Sequence, residues 1–223
     1  MSPAARWRIL QVADSAFPTG GFAHSGGLEA SVTLGHASTP AAFADYVEAH
    51  VWNVGCGALP FVGAAHDDPL AVARLDLHLD ACLVNRVTNA ASRTQGRAFI
   101  ATCERAFDET ALAPLAARAR RREGPSHLAP LFGAALKIVG AARDDALAAF
   151  LHLALRGVTS AAVRLGVVGP FEAARLTSSL APTLDRVLAV GSSLTPDEAA
   201  STAPVIDIIA ATHDRLDARL FQS

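Results

Sequence analysis

At 223 residues and 51% hydrophobic composition, the chain is long enough for one sizeable apolar core, and a charged fraction of 18% is too low for a disordered protein. A formal net charge of −2 and a pI near 6.4 give no long-range field to gather nucleic acid or an anionic membrane, so neither is an expected partner. Three widely spaced cysteines, Cys56, Cys82 and Cys103, form no CxxC pair, and buried free thiols in a reducing cytoplasm are the expectation.

In chain order, the N-terminal MSPAARWRILQVADS lacks the apolar region and cleavage site of a secretory leader, and no apolar run reaches the roughly 18 residues of a bilayer span. A cytoplasmic protein is expected. Alanine and leucine dominate and alternating β-branched runs are missing, which predicts an all-α chain. Helices are expected near 6–15, 27–37, 40–65, 69–84, 86–113, 126–141, 143–166, 170–190, 196–201 and 204–220, about ten in one single-domain bundle spanning 1–223. Thr39-Pro40, Asp68-Pro69 and Thr195-Pro-Asp-Glu198 read as helix starts, in which proline fills the first helical position. Asp144-Asp145 suits a helix N-terminus, His66-Asp67-Asp68 reads as a capping cluster, and the basic run Arg118 to Glu123 reads as a solvated helix end.

The stretch DSAFPTGGFAHSGGLE, residues 14–29, breaks this helical pattern with four glycines, a proline and a histidine. Its AHSGG misses the G-x-S-x-G nucleophile elbow at Ala23, and no strand is expected before it. The late pair Asp207 and His213 falls on one predicted helix, on opposite faces, so a small serine hydrolase using Ser25 is only the alternative reading. The G-x-x-x-x-G-K-[ST] spacing of a phosphate loop is absent too. Eight histidines show no H-E-x-x-H and no i, i+4 pair, so no metal site and no cofactor are expected. What remains is a shaped loop in which Gly20 or Gly21 takes positive φ and Phe17 and Phe22 are mostly buried. Gly96, inside a predicted helix, costs about 1 kcal/mol relative to alanine unless another backbone packs there. The residues TSAAVRLG (159–166) also permit a close helix approach in a core or dimer seam. The terminal helix carries Val205, Ile209, Leu216 and Leu220 as an apolar stripe, which docks either on the chain's own core or on a partner, with Arg219 in its final turn facing elsewhere.

DSAFPTGGFAHSGGLE resembles the N-terminal signature of the urease accessory protein F (UreF) family, helical chaperones that assist nickel insertion into urease. ASRTQGRAF (91–99), SHLAPLFGAALKIVG (126–140), TSAAVRLGVVGP (159–170) and IDIIAATHDRLDARLF (206–221) resemble further family blocks in the same order. The resemblance implies an all-α, dimeric, non-enzymatic protein that bridges a scaffold protein (UreD, also called UreH) and a nickel-carrying GTPase (UreG) and acts with them on apo-urease. It implies partner contacts for Asp14, Pro18, Thr19, Gly20, Gly21, His24, Ser25, Gly26, Gly96, Arg164, Arg219, Leu220 and Phe221, with Arg219 recruiting the GTPase. A long N-terminal arm that some members use for scaffold contact is expected to be largely absent before Trp7.

Overall fold

Helix starts are set by side chains that take up the first free N–H groups and by prolines that need none. The computed structural model describes residues 3–223, with side chains from Ala5 onward. Met1 and Ser2, the start of the segment read for a leader, lie outside the described residues. Helix α1 spans Pro3–Ala13 and α2 spans Leu28–Thr33. Helix α3 (Pro40–Gly57) opens as expected, with the Thr39 hydroxyl accepting from the Ala42 amide at 3.2 Å. Asp68 caps a short 3-10 turn that leads into α5 (Val72–Cys82), and the Asn85 side chain accepts from the Val87 and Thr88 amides to start α6 (Arg86–Ala106). Asp144 and Asp145 occupy the first turn of α9 (Arg143–Arg164), where the helix dipole favours them.

Three expected helices are divided. The segment 40–65 breaks at Ala58 into α3 and α4 (Leu59–Asp67), because Pro60 has no N–H to give the Cys56 carbonyl. That carbonyl accepts instead from the Ala200 amide at 3.2 Å. The segment 86–113 ends at Ala106, where Phe107 turns into the core, and helical structure resumes at α7 (Ala113–Arg120) with Pro114 near its start. The segment 170–190 becomes α10 (Pro170–Ser179) and α11 (Ala181–Ser193), parted ahead of Pro182. With α8 (Leu128–Ile138) and α12 (Pro204–Ala210), twelve α-helices and five short 3-10 turns are found among the described residues, with no strand. The chain is all-α.

Residues 196–201 form only a 3-10 turn, Pro196–Glu198, in which the Glu198 carboxylate accepts from the Thr195 amide at 2.8 Å. The expected terminal helix 204–220 stops at Ala210. Thr212 bonds back to the Ile209 carbonyl, and after one 3-10 turn, His213–Arg215, the chain is irregular. The expected stripe therefore does not form: Ile209 is buried, but Val205 and Leu220 are exposed. Arg219 therefore lies in irregular chain and not in the final turn of a helix.

Helix α8 is apolar apart from the exposed Lys137 in its last turn, and it packs against α4, α6 and α9. Phe99 and Phe132 stack at 5.0 Å and Phe150 meets Phe132 edge-on at 5.2 Å, in a cluster that also holds Phe61, Leu136 and Leu147. Each such ring contributes about 1.5–3 kcal/mol by leaving water. A second cluster joins Phe43, Val47 and Val51 of α3 to Leu155, Ala161 and Ala162 of α9, and ends at Phe221. Against expectation, α9 is long and apolar enough to cross a membrane by length and composition. Its apolar residues supply both clusters and pack against α3, α4, α8, α10 and α11, as the core helix of a globular bundle does.

The close approach expected at Gly96 is met where α6 crosses the start of α8. A Cβ there would overlap the Ser126 carbonyl oxygen and the His127 backbone, so the contact excludes every other residue. Cys56 and Cys103 are buried, and burial pushes the Cys103 thiol up to about 12. Cys82 is exposed, which corrects the expectation of three buried thiols.

Candidate functional site

Residues 14–29 leave α1 and run along α6. The Asp14 carboxylate accepts from the Ala16 amide at 2.7 Å, the Pro18 carbonyl accepts from the Thr102 hydroxyl at 2.9 Å, and Thr19 Oγ1 accepts from the Gly21 amide at 3.4 Å. Gly20 has φ 73°, as expected, and lets the chain fold into the 3-10 turn Gly21–Ala23. Phe17 is buried against Phe99 and Phe107, again as expected. Phe22 corrects the expectation: it is 70% exposed, because its ring is covered on one side only, by the guanidinium of Arg164.

Beyond this turn the loop receives the end of the chain. The Ser25 amide and hydroxyl both donate to the Ser223 carbonyl oxygen, at 2.6 and 2.9 Å, and the Gln222 amide donates to the Ala23 carbonyl at 2.8 Å. His24 Nδ1 lies 2.6 Å from the Ser223 hydroxyl. One residue further into α2, the buried Glu29 carboxylate accepts from the Leu220 amide at 2.5 Å and the Phe221 amide at 3.2 Å, and meets His213 Nε2 at 2.8 Å. Glu29 and His213 are 4% and 0% exposed. A buried carboxylate is stable only with such partners. The Arg164 guanidinium lies between two rings, 3.9 Å from the Phe22 centroid and 4.1 Å from the Phe221 centroid, and donates to the Phe22 carbonyl at 2.5 Å. Stacked guanidinium–ring contacts of this kind contribute about 0.5–2 kcal/mol each.

Tyr46 supports the loop from below. Its hydroxyl donates to the Gly26 carbonyl at 2.8 Å, and burial raises its ionisation well above the usual phenol value, which keeps it a donor. Burial also lowers His24 below its ordinary 6.5, with nearby His213 adding to the effect, and lowers His50 beside Gly26 to about 4.

Ser25, Gly20, Gly21, Gly26, His24, Arg164, Leu220 and Phe221 thus lie in or beside one joint, with Asp14, Pro18 and Thr19 fastening its near end. Of the other sequence candidates, Gly96 lies under α8, away from the joint, and Arg219 is exposed at its rim, 3.9 Å from Asp214. The nucleophile geometry of a hydrolase is not formed at Ser25. Its hydroxyl is 1% exposed and committed to Ser223, it is 3.3 Å from the Glu29 amide it accepts, and no strand precedes it.

A second buried polar network was not legible in the sequence. Asp76, fully buried on α5, accepts from the Ser126 and His127 amides at 2.8 and 2.7 Å and from Arg118 at 3.0 Å. Arg118 is therefore an exception to the expected solvated helix end, whose Arg120, Arg121, Arg122 and Glu123 are exposed. His127 Nδ1 meets Ser92 Oγ at 3.1 Å and its Nε2 meets Asp80 at 3.0 Å. This Ser–His–Asp chain fixes the start of α8: His127 is 0% exposed, and Ser92 Oγ already accepts from the Leu128 amide. Sequence spacing gave no signal for it, since the three residues come from three separate segments. Among the described residues, no three His, Cys, Asp or Glu side chains converge as metal ligands would.

These features define an all-helical protein whose glycine-rich N-terminal loop is closed over by its own C-terminal tail. The UreF family matches residues 37–181, which covers the helical body but neither the loop nor the tail. Whole-length relatives extend the likeness to both. The chain is 33% identical over 226 residues to "Urease accessory protein F" of Arabidopsis thaliana, covering 100% of this chain and 94% of that protein. It is 33% identical to the protein of the same name from Oryza sativa subsp. indica, over 99% of this chain and 86% of that protein. It is also 31% identical to "Urease accessory protein UreF" of Mycobacterium sp. (strain JLS), over 96% of this chain and 97% of that protein. The chain belongs to the UreF family of urease accessory proteins.

Proposed function

We propose that the chain is a non-catalytic adaptor of urease maturation, acting in the cytoplasm as one domain over residues 1–223 and as a homodimer. It bridges a UreD/UreH scaffold and a UreG GTPase so that nickel reaches apo-urease. The observation that carries this reading is the loop–tail joint. Its inner groups pair with one another, His213 Nδ1 apart, while Phe22, Leu220 and Arg219 remain exposed around it. A rigidly held rim of aromatic, aliphatic and guanidinium groups is the composition of a protein-binding surface. The alternative hydrolase at Ser25 has no comparable support.

Co-expression with the scaffold and the GTPase, followed by pull-down and mass measurement, tests partners and dimerisation together. In the same assay Arg219→Ala is expected to keep its melting temperature and scaffold binding while losing GTPase recruitment. Unchanged GTPase binding would remove Arg219 from the interface. A complex that forms without this chain would overturn the bridging role.

A further inference from the structure

Away from the loop–tail joint, one face of α6 and the turn after α7 line an open cleft of about 490 Å³. Arg93 and Arg97 line it from α6, one helical turn apart with Asn89 and Thr94, and Arg122 and Gly124 line it from the turn. Three guanidinium groups facing one space repel each other unless carboxylates lie among them. The neighbouring arginines outside this trio have such partners: Arg118 with Asp76, Arg120 with Glu104, Arg121 with Glu123 and Arg86 with Asp214. Arg97 and Arg122 have no carboxylate within 4.0 Å among the described residues, and Arg93 reaches only Asp80, at 3.8 Å, a carboxylate already engaged by His127 and Asn89. The cluster therefore holds an excess of positive charge inside a concavity.

We propose that this cleft binds a small phosphate-bearing anion, gripped by the guanidinium forks of Arg93, Arg97 and Arg122. Guanidinium groups present paired N–H donors that match phosphate oxygens, and such charge-assisted bonds are about twice as strong as neutral ones. The volume falls within the range of about 300–1,000 Å³ typical of small-ligand sites. It exceeds what a lone phosphate fills, and Leu83 and Val84 provide an apolar wall for the remainder of the ligand. A further observation agrees: Arg97 is held below its ordinary value by burial first and then by Arg93 and Arg122, a strain that a bound anion removes. Arg122 itself, at φ 55°, closes α7, with its amide on the Ala119 carbonyl and the Glu123 amide on the Arg118 carbonyl, and this helix end fixes where its side chain starts. The multiple negative charge of a phosphate group answers three guanidiniums better than one carboxylate does.

Isothermal titration of the full-length protein with inorganic pyrophosphate, at about 150 mM salt to screen diffuse attraction, tests the site. A polyglutamate peptide serves as the rival probe. Saturable one-site binding is expected, with a rise in melting temperature at excess pyrophosphate. Arg97→Gln should bind at least about tenfold more weakly, the loss of one charge-assisted contact, and Arg175→Gln, exposed on α10 and outside the cleft, should bind as the parent does. Arg122→Gly relieves the positive φ and removes one guanidinium, so it is expected to stay folded by circular dichroism and still lose affinity. The proposal is overturned by the absence of saturable binding, by equal binding in Arg97→Gln and Arg122→Gly, or by tighter binding of the polyglutamate peptide than of pyrophosphate.

Discussion

Glu29 joins the two ends of the chain through a single side chain. Its two oxygens serve two backbone amides and one imidazole in a place water does not reach. Removing the carboxylate leaves His213 and both amides without acceptors. Glu29→Ala is therefore expected to cost about 3 kcal/mol, within the range for one partner of a buried pair, and to free the tail. A lowered melting temperature together with rapid proteolytic cleavage after residue 210 would show this. A tail as protected as the parent's would mean that Phe221 alone holds it. Arg164→Ala tests the other half of the joint, and the loss of two ring contacts should reduce stability by about 1–2 kcal/mol. Arg164→Lys should recover only part of that, because an ammonium cannot lie flat between two rings. The sequence pointed to Ser25, Arg164 and Phe221 through the family resemblance, yet Glu29 did not stand out and His213 was weighed only with Asp207. Their partnership spans 184 residues and has no local pattern.

At the scale of elements, two helix-interior glycines have opposite roles. Gly96 permits the crossing of α6 with the start of α8, whereas Gly157, inside α9, has open space where a Cβ would be. Gly157→Ala should thus stabilise the protein by about 0.5–1 kcal/mol through helix propensity. Gly96→Ala should destabilise it by about 3 kcal/mol or more, since backbone cannot yield as a flexible side chain does. Chemical denaturation of both variants decides the matter, and similar effects of the same sign would refute the assignment. Helix existence was legible from alanine and leucine content, and helix starts were legible from Thr39-Pro40 and Asp68-Pro69, whereas the Asn85 cap emerged only in the structure. The breaks before Pro60 and Pro182 follow the same proline rule but lay inside segments that read as continuous, and the break at Ala106 has no proline to mark it. The early end of α12 was not legible, because it is imposed by tertiary hydrogen bonds to Glu29 and not by any local breaker.

Across the whole molecule, burial sets the response to acid. His24, His50, His66 and His127 come from four separate segments, and in each the leading cause of a lowered value is loss of water around the ring. His66 is the most informative of these. Its Nε2 lies 3.0 Å from the Ala141 carbonyl and must donate to it, while Nδ1 has no partner among the described residues. The neutral ring fits this site, and a charged ring would add an unpaired N–H. When the protein unfolds, these imidazoles return to an ordinary value near 6.5 and take up protons that the folded state excludes. Their favourable contribution is therefore complete above about pH 6.5 and declines as pH falls towards the lowered folded values, near 4 for His50. The urea midpoint is expected to hold between about pH 7.5 and 6.5 and then fall steadily to about pH 5, with net proton uptake on unfolding. His66→Gln keeps a donor for the Ala141 carbonyl and cannot titrate, so its decline over the same interval should be shallower. A midpoint independent of pH in the parent, or an identical slope in His66→Gln, would show that the buried rings do not govern acid stability.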